Sequence, residues 1–456
     1  MAPHANKPKT GIESNSTAST EGSTALHALL NQYPSICFLR CQWQDYSGVV
    51  RARIVPIAQA LSIAAEKRKL HVPGCAFHLT VNHENIPELN PRGYHWLVPD
   101  WDSLFPLAQQ LNVNPSYATV MCSVAEHLPV QPELNWNYCP RKALKTVVEK
   151  AEKLLQVHLL VGFEVEFQIM KASADGKLEP HSSGMGRCAI SGLRDPCVAH
   201  IQEVVQMLIG AGIGVGAFQT EGDRGQYEIA LEPQSPLRAI DELILVHDTL
   251  KSVFARHGLV ATMAPRPVAS HKQMAGQHTH ISLNPPNKEA SFLAGMLRRL
   301  PGLCAFFLPY DLSYERVQPY LAGHIVAWGS ENRAVAIRQI KTGHWELRCV
   351  DATANMYVAL AAVISAGTIG CINEEELVWP DTGFITEHFP TSGTEPLPKS
   401  LTASLEQLNK SCDSLEEMIG SRMLRHYIAV KRFEAPRLQR LPEETAVSKH
   451  TSVVYT

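Results

Sequence analysis

Four short segments of this chain alternate charged or metal-ligating side chains with apolar ones. In Gly162-Phe-Glu-Val-Glu-Phe167 the strand period of two sends Glu164 and Glu166 to one face and Phe163, Val165 and Phe167 to the other. The same period aligns His278, His280 and Ser282, pairs Gln226 with Glu228, and pairs Glu346 with Arg348. If these strands share a sheet, one concave face carries four carboxylates, two imidazoles and at least one guanidinium. A core does not tolerate that much charge. Taken singly, each segment reads as an ordinary half-solvated strand. Together, carboxylates and imidazoles without paired thiolates suit a hard divalent cation such as Mg²⁺ or Mn²⁺ better than structural zinc, and nearby arginines suit phosphate and carboxylate oxygens. The set reads as a place where a metal-bound nucleotide meets an acidic substrate.

Positioning these groups requires strands backed by helices. An apolar stripe of Leu144, Val147, Val148, Ala151, Leu154 and Leu155 predicts a helix over 142–156. Ile240, Leu243, Ile244, Leu250, Val253 and Phe254 predict a second over 237–257, stopped by Gly258. Nearer the start, 36–39 reads as a strand, Asp45 to Gly48 as a turn, and 49–55 as the returning strand of a hairpin. Residues 1–24, rich in Ser, Thr, Asn and Gly, read as a disordered leader. The glycines of 210–216 do not fit the dinucleotide pattern GxGxxG.

The 456 residues suffice for two domains, and the net charge of −3 argues against nucleic acid or an anionic membrane as partner. Eleven cysteines without a CxxC pair, and no apolar signal segment or membrane-spanning run, make a reduced, cytoplasmic protein the expectation. His71, His158, His181, His200, His247 and His257 are scattered in sequence and read as surface or satisfied core residues rather than ligands.

The succession of GFEVEF at 162–167, Glu221 with GQYEI at 225–229, GQHTHISL at 276–283, ENRAVAIR at 331–338 and WELRCVDATANMYVALAA at 345–362 resembles the catalytic domain of glutamine synthetases, in their type I-like branch. The resemblance runs from about Cys139 to past Gly370. It implies an α+β fold: a small β-grasp-like domain at 25–135 and a catalytic domain at 136–456 with a curved antiparallel sheet backed by helices. It implies ATP and two or three Mg²⁺ or Mn²⁺ ions per site. Glu166, Glu221 and Glu228 would hold one ion, and Glu164, His278 and Glu346 a second. His280 and Ser282 would lie beside the nucleotide, and Arg333 and Arg338 would stabilise the transferring phosphoryl group. Arg316 and Arg348, with Gly276, would hold L-glutamate. Asp45 would reach a neighbouring subunit's site and bind the amine, which implies a homo-oligomeric ring, a decamer or dodecamer, with shared sites.

Three departures stand out. The segment 317–324 lacks the family's flap acid, His344 stands where an arginine is expected, and Gln273-Met274 replaces an Asn-Gly pair. The leading expectation is therefore an ATP-dependent ligase that joins the γ-carboxyl of glutamate to an amine larger than ammonia through an acyl phosphate. Ordinary glutamine synthesis is the alternative, with Glu315, Glu331 or a water chain replacing the missing base. A non-catalytic relative kept for assembly or regulation is a third reading. A nucleotide-free metal-dependent hydrolase is a fourth, disfavoured by Arg333 and Arg338.

Overall fold

The computed structural model describes residues 16–439 apart from 90–92, 108–115, 128–134, 174–177, 182–188, 190–193, 223–224, 268–273, 320 and 384–394. The first sheet is built from β1 (Ile36–Gln44), β2 (Val50–Pro56), β3 (Leu70–Pro73), β4 (Tyr94–Pro99), β5 (Phe105–Pro106) and β6 (Ser116–Glu126). Its order is β2-β1-β6-β4-β3, with β5 on β6. The central β1–β6 pair is parallel and the other pairs are antiparallel, a β-grasp-like arrangement with helices α1 (Ser16–Gln32) and α2 (Ile57–Ala64) packed together beside it. Helix α1 corrects the expected leader, because it begins inside residues 1–24. Its Leu26 is fully buried, and Leu29 and Leu30 pack on the same core, so the helical spacing of these leucines outweighs the polar composition around them.

The second sheet comprises β7 (His158–Ala172), β8 (Leu178–Pro180), β9 (Val215–Glu221), β10 (Gln226–Leu231), β11 (Val260–Thr262), β12 (Gln277–Asn284), β13 (Trp328–Ser330), β14 (Ile337–Lys341) and β15 (His344–Leu347). The strands run β13-β14-β15-β12-β7-β10-β9, with β8 and β11 also pairing with β7. All four segments singled out by their alternation therefore lie in one sheet. Phe163, Val165 and Phe167 are buried on its apolar face, where Phe167 meets Phe254 at 6.4 Å between ring centroids.

Helices α3 (Pro140–Leu155), α4 (Cys197–Gly210), α5 (Pro236–Arg256), α6 (Glu289–Phe307), α7 (Met356–Ile372), α8 (Leu401–Ile419) and α9 (Met423–Gln439) supply the backing. Both expected helices form within two residues of their expected bounds, although Leu154 of the α3 stripe is exposed. Helix α7 is buried from Met356 through Cys371 and has no polar face, as befits a helix surrounded by others. Gly295 of α6 and Gly370 of α7 permit the close crossing, since a Cβ on Gly295 would collide with the Ala366 carbonyl.

Polar ties connect the first sheet to the helices. Arg141 grips Asp241 through two nitrogens at 3.0 and 2.7 Å and reaches Asp100 at 2.8 Å. At the β1–β2 turn, Tyr310 Oη donates to the Ser47 carbonyl at 2.6 Å, and Ser47 Oγ donates to Glu434 of α9 at 3.1 Å. Glu434 also accepts from the Val81 N–H at 2.5 Å and pairs with Lys431 at 2.8 Å. Among the described residues, no helix is long and apolar enough to cross a membrane.

Candidate active site

Strand register decides which side chains meet. His278 of β12 lies opposite Glu164 of β7, and Glu228 of β10 opposite Glu166. His280 lies opposite Glu346 of β15, which in turn lies opposite Arg338 of β14. Directly opposed residues share a face, so these seven groups form one ladder across five strands. Ser282 opposite His344, and Gln219 opposite Glu228, extend it at both ends.

At the middle of the ladder, one ligand atom each from Glu164, His280 and Glu346 lie within 4.8 Å of one another. His280, expected beside the nucleotide, thus stands with Glu164 and Glu346, where His278 was expected as the ligand. His278 instead stands between Glu166, 3.2 Å from its Nε2, and Glu346, 3.4 Å from its Nδ1. His278 Nδ1 and His280 Nε2 are buried without a hydrogen-bond partner, His280 Nε2 being 3.3 Å from Glu164. Unpartnered imidazole nitrogens among carboxylates fit a divalent cation. The trio Glu166, Glu221 and Glu228 is looser. The Gln219 amide lies 3.3 Å from both Glu221 and Glu228, while Glu166 accepts from the Gly276 N–H at 2.6 Å.

The electrostatics match this crowding. Burial together with Glu164, Glu166, Glu221 and Glu346 pushes the Glu228 carboxyl up to about 8. Burial also acts to raise Glu164, but His280, His278 and Arg348 outweigh it and bring that carboxyl down to about 2. Glu166 is likewise held low against its burial by His278, Arg316 and the Gly276 N–H. Burial, His280 and Lys341 lower His344 to about 4, so its Nε2, 3.0 Å from His280 Nδ1, belongs to a neutral ring near neutral pH.

The arginines divide into two kinds. Arg338 pairs with Glu346 at 3.0 Å and with Glu331, and Arg348 pairs with Glu346 while its Nε donates to the Arg333 carbonyl at 3.0 Å. The Arg333 side chain is exposed at the turn before β14. Arg316 is buried, and its guanidinium donates to the carbonyls of Ala275 and Arg348. A Cβ at Gly276 would strike that guanidinium, so only glycine permits the approach. Arg316 therefore braces the backbone before Gly276 and at Arg348.

Asp45 turns inward. It is fully buried, accepts from the N–H groups of Ser47 and Val49 at 3.0 and 2.9 Å, and pairs with Arg51 at 2.6 Å. Its carboxylate closes its own hairpin turn rather than projecting outward, so it gives no support to a shared site. Burial, outweighing Arg51, raises it to about 6.

A cleft of about 670 Å³ opens beside the ladder, lined in part by Glu164, His280, Ser282, Lys341 and His344. Lys341 escaped the sequence reading because a bulge between Gln339 and Lys341 returns it to the face of His344, which strict alternation from Arg338 would not do. Glu331, paired with Arg338, was expected only as an alternative base; its φ of 55° is strained for a residue with a Cβ. Gln273 lies outside the described residues, as does Tyr320 of the segment without an acid.

The family model "Glutamine synthetase, catalytic domain" matches residues 137–450. Protein fluG of Emericella nidulans is 30% identical over 432 residues, covering 92% of this chain and 49% of fluG, so the chain spans about half the length of that relative. Gamma-glutamylpolyamine synthetase GlnA3 of Streptomyces coelicolor is 29% identical, with 88% and 90% covered. Glutamate–isopropylamine ligase of a Pseudomonas species is 28% identical, with 78% and 81% covered. A solved GmaS/ADP complex superposes with a TM-score of 0.76 at 26% identity, over 93% of this chain and 98% of that one.

Proposed function

The chain belongs to the glutamine synthetase family, and on that premise we propose that it is an ATP-dependent ligase joining the γ-carboxyl of glutamate to an amine larger than ammonia. One observation carries the reading: the cross-strand ladder of carboxylates, imidazoles and Arg338 flanks a cleft of about 670 Å³. The ADP bound in the similar GmaS structure supports a nucleotide there.

Divalent cations held by Glu164, His280 and Glu346, and by Glu166 with Glu221 and Glu228, would neutralise phosphate oxygens during transfer. A carboxylate oxygen of glutamate attacks the γ-phosphorus, the bond to the bridging oxygen breaks, and ADP leaves with the electron pair. Arg338 and the exposed Arg333 carry the charge of the transferring group. Arg348 holds the carboxylate that does not react, braced through its carbonyl by Arg316. The amine nitrogen then attacks the acyl carbon, the C–O bond breaks, and inorganic phosphate leaves.

The amine's proton requires a base, and 317–324 offers no acid. We assign that role to Glu331. Once Arg338 turns toward the phosphoryl group, the Glu331 carboxylate is released from its ion pair and free to take the proton. The absence of an acid in that segment leaves room for a substituent on nitrogen, and two similar ligases are named for polyamine and isopropylamine.

The test is phosphate release from ATP and Mg²⁺ with L-glutamate, comparing ammonia with a panel of amines and recording product masses. Release that needs an organic amine, with the matching γ-glutamyl mass, is expected. Equal or better turnover with ammonia would make ordinary glutamine synthesis the correct reading. Nucleotide binding without turnover across the panel would favour a non-catalytic role.

A further inference from the structure

Two helices that contribute nothing to the carboxylate ladder carry a different set of ligating groups. On α4, His200 and Glu203 stand three residues apart and so share a helix face. His257 follows the last residue of α5 directly. We infer that His200, Glu203 and His257 form a second metal site, for a borderline transition cation such as Zn²⁺, that clips the two helices together. One ligand atom from each lies within 4.8 Å of the others. His257 Nε2 is already 2.9 Å from Glu203 Oε2. Ligands around tetrahedral zinc stand about 3.3 Å apart, a spacing that follows from metal–ligand bonds of about 2.0–2.1 Å. Side-chain rotation alone can bring the three to that spacing.

The two imidazoles are held close together. The His200 and His257 rings stack with centroids 3.7 Å apart and an interplanar angle of 25°. Arg256 also faces the cluster, but its Nη2 takes Glu203 Oε1 at 2.7 Å and leaves Oε2 for the ion. A further imidazole points the same way. His181, just after β8, neighbours His200, and its buried Nδ1 has no hydrogen-bond partner.

This site and the ladder cannot share an ion. His200 meets Phe254 edge-on at 5.9 Å, and Phe254 packs on Phe167, whose side chain leaves β7 on the face opposite Glu166. The sheet lies between them. Their chemistry differs as well: two or three imidazoles with one carboxylate select zinc, nickel or copper, whereas the carboxylate-rich ladder suits Mg²⁺ or Mn²⁺.

The experiment uses the full chain in millimolar Mg²⁺, which fills the hard-ion site. Zn²⁺ alone is added, excess is removed by desalting, and zinc per chain is measured by elemental analysis alongside the melting temperature. The wild type should retain about one zinc per chain and melt higher with it. A His200→Ala/His257→Ala double variant should lose both effects, and Glu203→Gln should bind zinc at least about tenfold more weakly. Equal zinc content and equal melting response in the wild type and the double variant would overturn the inference. A footprint on the wild type needs no variant to fold. Zn²⁺ should protect His200 and His257 from diethylpyrocarbonate in peptide mapping, and unprotected modification of both in saturating zinc would equally overturn it.

Discussion

Replacing Glu228 by Gln should stabilise the metal-free protein at alkaline pH while weakening its hold on divalent cations. Glu228 is held at about 8 by burial and by Glu164, Glu166, Glu221 and Glu346, against 4.5 for an ordinary glutamate. The folded protein therefore keeps a proton there that the unfolded chain has released. Its contribution to stability is whole below pH 4.5 and is lost as pH rises toward 8. Each pH unit of that window is worth about 1.4 kcal/mol, a ceiling of about 5 kcal/mol, which solvent around the half-buried side chain trims to about 3 kcal/mol. The assay is urea unfolding at several pH values from 6 to 9 in a chelator, repeated with Mn²⁺ and without nucleotide. The wild type should weaken steadily across the range in chelator and recover with Mn²⁺. Glu228→Gln should show a flatter slope and a smaller Mn²⁺ gain. Parallel pH slopes for the two proteins would refute the crowded-carboxylate argument.

Further substitutions probe other parts of the structure. His280→Ala should reduce Mn²⁺ affinity about 10–100-fold, and ATP turnover with it, while leaving the melting temperature in chelator within a few degrees; calorimetric Mn²⁺ titration checks this. His78 is lowered to about 3 by burial, His426 and His95, so the folded state declines a proton that the unfolded chain accepts. Stability should fall as pH drops from 6.5 toward 3, and His78→Gln should flatten that acid limb in pH-dependent melting. Arg141→Ala strands the buried Asp241 and should cost about 3–5 kcal/mol in urea unfolding, whereas Arg141→Met with Asp241→Leu should recover most of it.

The ladder was legible in the sequence because period-two alternation survives translation into β7, β10, β12 and β15. Register was not legible, since no local rule says that His278 falls opposite Glu164 and His280 opposite Glu346. The Lys341 bulge was hidden for the same reason. The contacts of Arg316 and Asp45 were not legible either, because a residue's type does not reveal its direction: one guanidinium bonds two carbonyls and one carboxylate its own turn. His200 and His257, 57 positions apart in the chain, read as unrelated until α4 and α5 packed together.

The grip of Glu434 on the β1–β2 turn sets an order of events in time. Ser47 and its carboxylate partner are 387 residues apart, and Val81 and the same partner are 353 apart. At a synthesis rate of about 5–20 residues per second, Ser47 leaves the ribosome roughly 20–80 s before Glu434 exists. During that interval the turn keeps its bonds to Asp45 and to the Leu79 carbonyl, while the Val81 N–H lacks its carboxylate partner. The first sheet therefore gains its Glu434 tie only after α9 has emerged, and a ribosome stalled before α9 would present a nascent chain whose opening hairpin is paired but not yet clamped.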